Sequence, residues 1–430
     1  MRSLPVGLAV LLAFSCGSAQ PTEAPSPSVP PDSLPPVPST TDRVASPDAP
    51  TLPPATAGPS PTAAARPTPG FGPTPGPDGW IGPTFVSDRP YYDVSLAVDG
   101  GGYAHAAAGL SDAIFYLTNT SGSWTRDRVS SPPGSGANQR TDVEPDIAID
   151  VDGSMAISFH RLGPEDTFGR FPTGIFLATS EGGGWSAPAT PGDMEGIFFA
   201  NSTSVQLRDG VVHLVYVEGI PFDVVDEDST FPLRYRTDSG GSWSDVEIAP
   251  VGGQPELQLD NDGLPHILFA VIGALLPGDG LRYARGAAGG APFDVELVPG
   301  SSSFDYPLGL AVDQAGQPQA VWSLEEGPGV VHAVREAGDW SSAEPALAVG
   351  GVNGGAAVDA SGAIHIVVAA GDDGVWYATN RGGNFAARQL SAGRGLSADI
   401  AVDAAGRPHI LLIVRQSGTR QLWYGIGPSN

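Results

Sequence analysis

Apolar and polar positions along this chain repeat as a unit. An alternating apolar run ends in Asp, two residues and a Gly follow, and a second apolar run opens near a His, as in Ile400 to Ile410. Aligned on the turn glycine, the unit recurs at Gly102, Gly153, Gly210, Gly263, Gly316, Gly362 and Gly406, seven copies spaced by 44 to 57 residues. The Asp three residues earlier is Asp99, Asp150, Asp260, Asp313, Asp359 and Asp403, with Leu207 in the third copy. Three residues after the glycine stand His105, His213, His266, His365 and His409, with Ala156 and Gln319 in the other two copies. Alternation with period two is strand periodicity. A glycine between two such runs supplies the positive φ of a hairpin turn.

Each copy continues into a third apolar run, such as Val375 to Thr379, and then through a Gly-rich turn into a fourth that opens on an aromatic. That aromatic is Trp124, Trp185, Trp243, Phe293, Trp340 and Phe385. Four short strands repeated at roughly 40 to 60 residues predict propeller blades. The seventh copy stops after its third run, at Leu422 to Gly425. Its missing strand is Gly79 to Val86, because Trp80 precedes Asp99 by 19 residues, the interval from Trp340 to Asp359. The expected fold is all-β, a seven-bladed β-propeller closed by an N-terminal strand. Closure removes the open sheet edge between first and last blades.

Composition divides the chain into three parts. Residues 1–18 read as a signal peptide: Arg2, the apolar run Leu4 to Phe14, then small residues. Cys16, the only cysteine, sits just after that run and before Gly17 and Ser18, which resembles a bacterial lipoprotein processing site. Lipidation of Cys16 is one reading; an ordinary signal discarded with its cysteine is the other. A lone cysteine leaves no disulfide framework. Residues 19–77 are Pro, Ser, Thr and Ala with almost no large apolar side chain, a composition that stays disordered. Residues 78–430 form the propeller, a single domain, since dividing them would cut the ring.

The net charge of −26, with only 21 basic residues, disfavours nucleic acid and anionic membrane surfaces as partners. The chain is expected outside the cytoplasm, as a monomer on the bacterial surface or in the periplasm, touching the membrane only through a lipid anchor. Without the lipid it would be secreted.

Chain order separates two faces. The Asp-x-x-Gly turns and the turns into the fourth strands share one face and are short. The other connections vary, and variable loops on a rigid scaffold usually carry function. The longest run from Arg161 to Thr173, Glu218 to Pro232 and Val271 to Gly280, in blades two to four, with Arg126 to Thr141 and Pro191 to Ser202 beside them.

Six residues before the turn Asp, where the innermost strand leaves the variable face, stand Asp93, Glu144, Asn201, Gln254, Pro307, Asn353 and Ser397. Two residues further in come Ser95, Asp146, Thr203, Glu256, Gly309, Gly355 and Asp399. Period two places both sets on one side of the strand, lining the mouth of a central channel. Tyr92, Tyr306 and Arg394 stand nearby. Clustered carboxylates there require water, a cation, a ligand or raised pKa values, because unpaired buried charge is costly. A solvated polar channel is the competing reading.

One His per blade at the same position cannot converge on one metal ion, so these five are expected to bond their own turn Asp or nearby backbone. His160, beside Arg161 at the variable face, lies outside that pattern and is a candidate for chemistry. Asp226 and Asp228, in an acidic loop, offer hard oxygen ligands to Ca2+ without EF-hand spacing; a solvated loop is the alternative. No other cofactor is expected.

Arg236 to Trp243 (RTDSGGSW) resembles the Asp-box, or BNR, repeat of sialidase-like propellers, Ser-x-Asp-x-Gly-x-Thr-Trp, with Arg236 in place of Ser. Thr179 to Trp185 and Thr379 to Phe385 are looser copies. The resemblance covers the domain from about residue 79 and implies a fold rather than a reaction. The three arginines that sialidases use are not assembled here, and Arg89-Pro90 lacks the Ile of their Arg-Ile-Pro start. Taken together, the anchor, the linker and the loop-rich face lead to the expectation of a surface-tethered propeller, leaning non-catalytic, that binds a glycan or an extracellular protein through the loop-rich face of blades two to four. Ligand contacts would come from Tyr92, Asp93, Glu144, Arg161, Asn201, Gln254, Tyr306, Asn353 and Arg394. The alternative is a glycan-active enzyme: a hydrolase with paired carboxylates from Asp93, Glu144, Asp146 and Glu256, or a lyase using His160 or Tyr306.

Overall fold

A computed structural model describes residue 76 and residues 78–133, 140–163, 172–180, 184–191, 198–219, 231–238, 242–271, 280–287, 291–302, 305–325 and 329–429. All of them belong to one compact unit, Pro67–Asn430. The signal peptide with Cys16, the linker to residue 75, most of the long loops, the turn at 239–241, and Asp226 and Asp228 lie outside the described residues.

Strand β1 is Ile81–Ser87. Blade 1 follows as β2 (Asp93–Val98), β3 (Ala104–Leu110), β4 (Ala113–Thr118) and β5 (Thr125–Arg128). Blade 2 has β6 (Thr141–Ile149), β7 (Met155–Leu162) and β8 (Pro172–Ser180). Blade 3 is β9 (Phe198–Arg208), β10 (Val211–Gly219), β11 (Leu233–Thr237) and β12 (Ser244–Ala249). Blade 4 is β13 (Gly253–Leu259), β14 (Pro265–Ala270), β15 (Leu281–Gly286) and β16 (Phe293–Leu297). Blade 5 is β17 (Tyr306–Val312), β18 (Pro318–Ser323) and β19 (Val330–Glu336), with β20 (Asp339–Trp340) and β21 (Glu344–Leu347) both pairing β19. Blade 6 is β22 (Asn353–Val358), β23 (Ile364–Ala369), β24 (Val375–Thr379) and β25 (Ala386–Ser391). Blade 7 is β26 (Arg394–Val402), β27 (Pro408–Gln416) and β28 (Thr419–Ile426), completed by β1. The inner strands β2, β6, β9, β13, β17, β22 and β26 neighbour one another in that order, and β26 returns to β2.

This seven-bladed ring is the expected architecture, and its closure is the expected one. Strand β1 pairs antiparallel with β28, Thr84 opposite Tyr424 and Phe85 opposite Trp423. Trp80 is buried against Val367, Tyr377 and Leu412. Strands β3, β14, β18 and β23 are buried throughout, whereas β5 is exposed throughout. A second strand is packed on both faces by neighbouring blades, which is why it reads as a continuous apolar run instead of an alternating one.

The turn Asp has a physical task. Asp99 Oδ1 accepts the backbone N–H groups of Gly101 and Tyr103, and Asp260, Asp313 and Asp403 repeat the pattern. This satisfies amides that the tight turn would leave unpaired. The His three residues past the glycine closes a second tie. In blades 4, 6 and 7 its Nε2 donates to the same Asp, at 3.2, 3.2 and 3.1 Å. Its Nδ1 accepts the hydroxyl of a third-strand Tyr, at 2.6 Å for His266 with Tyr283 and His365 with Tyr377. That Tyr then meets the fourth-strand aromatic of the next blade edge-on, as Tyr283 meets Trp340 at 5.4 Å and Tyr377 meets Trp80 at 5.1 Å. The periodic histidines therefore hold blades together.

Two blades depart from the repeat. Blade 2 lacks a fourth strand among the described residues and keeps only bridges at Leu177 with Ala189 and Ser180 with Trp185. Pro188 and Pro191 deny that segment two ladder N–H groups. In blade 3, where Leu207 replaces the turn Asp, the hairpin is a two-residue turn of Asp209 and Gly210, φ 52° and 75°. An Asp-Gly turn with both φ positive makes the longer Asp-x-x-Gly loop unnecessary.

Candidate functional site

The inner strands bring a set of carboxylates to the axis. The deeper ones are bound into contacts between blades. Asp146 Oδ1 accepts from Ser95 Oγ of blade 1 at 2.8 Å, and Oδ2 accepts from Ser204 Oγ and Val205 N of blade 3 at 3.0 and 2.8 Å. Asp399 of blade 7 accepts from Leu96 N of blade 1 at 2.7 Å. Ser95 Oγ accepts from Ile147 N, and Ser204 Oγ accepts from Leu257 N, both at 3.2 Å. One polar chain thus runs from blade 7 through blades 1, 2 and 3 to blade 4. Glycine at 355 belongs to it, since a Cβ there would stand 2.4 Å from Asp399 Oδ1.

Nearer the mouth, Asp93 accepts from Ser397 Oγ at 3.0 Å. Burial, then the neighbouring Glu144 carboxylate, pushes Asp93 up to about 7, and burial does the same to Asp399. Glu256 is held well above the usual range by burial and by Asp146 and Asp399. Tyr306 is raised by burial and by Glu144, Glu256 and Asp93, so it remains a phenol. These groups share one electrostatic site.

Glu144 sits at a bulge in β6, with φ 52°, between Val143 and Asp146 in the pairing with β7. The bulge re-aims its side chain, which is about half exposed (46%). Its Oε2 lies 3.6 Å from Nδ1 of His160. His160 is 1% exposed, and neither ring nitrogen has a hydrogen-bond partner among the described residues. Burial lowers its pKa against the pull of Glu144, leaving a neutral imidazole. Arg161 forms a buried bidentate pair with Asp142, 2.6 and 2.9 Å, and its guanidinium lies 3.9 Å from the ring centroid of Phe176. Tyr92 Oη donates to the Asp142 carbonyl at 2.6 Å, linking blades 1 and 2.

The structure therefore gathers Tyr92, Asp93, Glu144, His160, Arg161 and Tyr306, with Glu256 and Asp146 deeper. Arg394 stands apart, paired with Asp372 at 2.8 Å, and Asn353 Nδ2 donates to the Leu396 carbonyl at 2.8 Å. Gln254 occupies a bulge like that of Glu144, with φ 50°. The backbone of Asn201 lies in β9, and its side chain is outside the described residues. Asp142 was not anticipated; its signal was the facing Arg161 across the β6–β7 hairpin. Among the described residues, no group of three or more His, Cys, Asp or Glu side chains has an arrangement that holds a metal ion.

No family profile matches the sequence, and no curated protein sequence does. Solved structures do match. The polysaccharide lyase Uly1 aligns with 80% of this chain and 98% of its own, at TM-score 0.50 and 10% identity. The NanB sialidase of Streptococcus pneumoniae aligns with 80% of this chain and 70% of its own, at TM-score 0.45 and 12% identity. An ulvan lyase aligns with 65% of this chain and 79% of its own, at TM-score 0.46 and 15% identity. What is shared at these identities is the fold, a sialidase-like β-propeller.

Proposed function

We propose that the propeller binds a glycan at the channel mouth between blades 1, 2 and 5, without turning it over. The observation that carries this reading is the grouping of Tyr92, Asp93, His160 and Tyr306 around Glu144, whose carboxylate acts on each of them. Polar groups that together offer hydrogen-bond donors and acceptors suit hydroxyl-rich ligands. Asp146, a carboxylate in the hydrolase alternative, has both oxygens bonded to neighbouring blades. That argues for a structural role, and the carboxylates proposed to meet the ligand are Asp93 and Glu144. Several propellers of similar fold are named as glycan-active, including a sialidase and two polysaccharide lyases, which supports a glycan as the ligand class.

A second reading is favoured by His160. A neutral buried imidazole beside a carboxylate is a general-base candidate, with Tyr306 as its partner in an elimination. The loop-rich face of blades two to four as the ligand-binding face, and lipidation of Cys16, remain separate parts of the proposal. A glycan array followed by turnover assays on the bound glycans tests it. Binding without product, lost in Glu144→Gln, is the expected result. Product formed by the wild type and lost in His160→Ala would favour the lyase reading.

A further inference from the structure

We propose that the flank where blades 7 and 1 meet docks a partner protein through a short acidic segment that also carries an apolar residue. The register places five arginines on this flank. In blade 1, Phe115 and Leu117 pack into the core shared with blade 7, and Arg128 and Arg126 stand opposite them in β5. Residues opposite one another in a ladder point to one face, so both arginines look toward blade 7. In blade 7, Ile413 and Leu422 pack into the same core. Two residues nearer the hairpin, Arg415 and Arg420 pair across β27 and β28 on that same face. Arg420 donates to the Tyr91 carbonyl at 3.5 Å, in the segment joining β1 to β2, where exposed Arg89 also stands.

These cations lack the partners that arginines have elsewhere in the chain. Arg161, Arg335, Arg381 and Arg407 each hold a carboxylate oxygen at 2.6 to 2.9 Å. Of the five, among the described residues, only Arg128 has a carboxylate at ion-pair distance, Asp112 at 3.9 Å. Asp88 adjoins Arg89 in the chain, and Asp127 alternates to the other side of β5, opposite Tyr116. Like charges directly opposite in a sheet, as at Arg415 and Arg420, repel, and an anion between them relieves this. The Cζ atoms of Arg126 and Arg128 lie 4.6 and 6.0 Å from the ring centroid of the partly buried Phe115. Stacking holds each planar fork ready for a carboxylate, and the ring offers the apolar contact. Net charge sets the length of the ligand. The chain as a whole carries −26, so a long polyanion would run off this strip onto a surface of its own sign, whereas a short segment ends within it.

The test is fluorescence anisotropy of the full chain with a short labelled peptide of alternating Glu and Leu, its Gln and Leu counterpart, and a long polyuronate as competitor. The Glu peptide is expected to bind saturably, and more weakly as salt is added, while the Gln peptide does not bind. Arg415→Gln and Arg126→Gln, both at exposed positions, should each weaken binding at least about threefold, and together about tenfold or more. Arg415→Lys, which keeps the charge and loses the fork, should fall between wild type and Arg415→Gln. Arg285→Gln in blade 4 removes the same charge elsewhere and should leave binding unchanged. A loss in Arg285→Gln equal to that in Arg415→Gln overturns the proposal, because net charge alone would then account for binding. Absence of saturable binding by the Glu peptide also overturns it. Displacement of the peptide by polyuronate at a lower concentration of charged groups, with the same dependence on Arg415, overturns the protein partner in favour of a polyanion.

Discussion

Asp399 and Gly355 show how closely neighbouring blades approach at the axis. With 2.4 Å between a Cβ at 355 and the Asp399 carboxylate, Gly355→Ala must displace that carboxylate, and with it its bond to Leu96, or shift an inner strand. It is expected to cost about 1–3 kcal/mol in urea denaturation. Combined with Asp399→Ser, the loss should be smaller than the sum of the two single changes, because the clash is shared. The buried carboxylates also set a pH dependence. Asp93 and Asp399 rise from 3.8 to about 7 on folding, so the folded chain holds protons that the unfolded chain has released. Their contribution is full below about pH 4 and lost as pH rises through about 7. His213 and His365, lowered from 6.5 to about 4 by burial, act in the opposite sense. Theirs is full above pH 6.5 and lost as pH falls through about 4. Asp93→Asn should therefore raise the melting temperature at pH 8 and leave it nearly unchanged at pH 4. An equal shift at both values would contradict the assignment.

At the scale of the element, the latch is β1. Trp80 packs edge-on to Tyr377 and lies beneath Arg388, whose Cζ is 5.0 Å from its ring centroid. Trp80→Ala should cost about 3–5 kcal/mol. Phe85→Ser, on the half-exposed side of the same strand, should cost far less. The hairpins of most blades were legible because Asp and Gly mark them by a backbone need, amide partners and positive φ. The outer strand that blade 2 lacks among the described residues was less so: Trp185 announces it, while Pro188 and Pro191 undo it. Blade 5 hid a substitution of another kind. Gln319 stands where His is usual, and His332 takes the place of the third-strand Tyr, with His332 Nε2 and Gln319 Oε1 at 3.0 Å. Among site residues, Asp93 and Glu144 followed from counting back along the inner strands by twos, and Tyr306 was picked out only as a neighbour of the Pro307 position. Asp142 lies one step of two beyond Glu144, and its role showed only through its pairing with Arg161 across the β6–β7 hairpin.

For the whole molecule, the ring separates two tasks. The turn face carries the Asp, His and Tyr ties that fasten the blades, while the polar groups proposed to meet a ligand lie toward the opposite end of the inner strands. Disturbing the first face should lower stability and spare binding: Tyr377→Phe removes a hydroxyl bonded to His365 and should cost about 1–2 kcal/mol with ligand affinity unchanged. The most direct test of the functional site is a hydrogen-exchange footprint of the full chain with and without its tightest array glycan. Protection is expected at 143–146 in β6 and 158–162 in β7, extending to Tyr306 in β17, with the Asp-x-x-Gly turns unaffected. Protection confined to the turn face or to the outer strands, with the mouth exchanging as before, would contradict it.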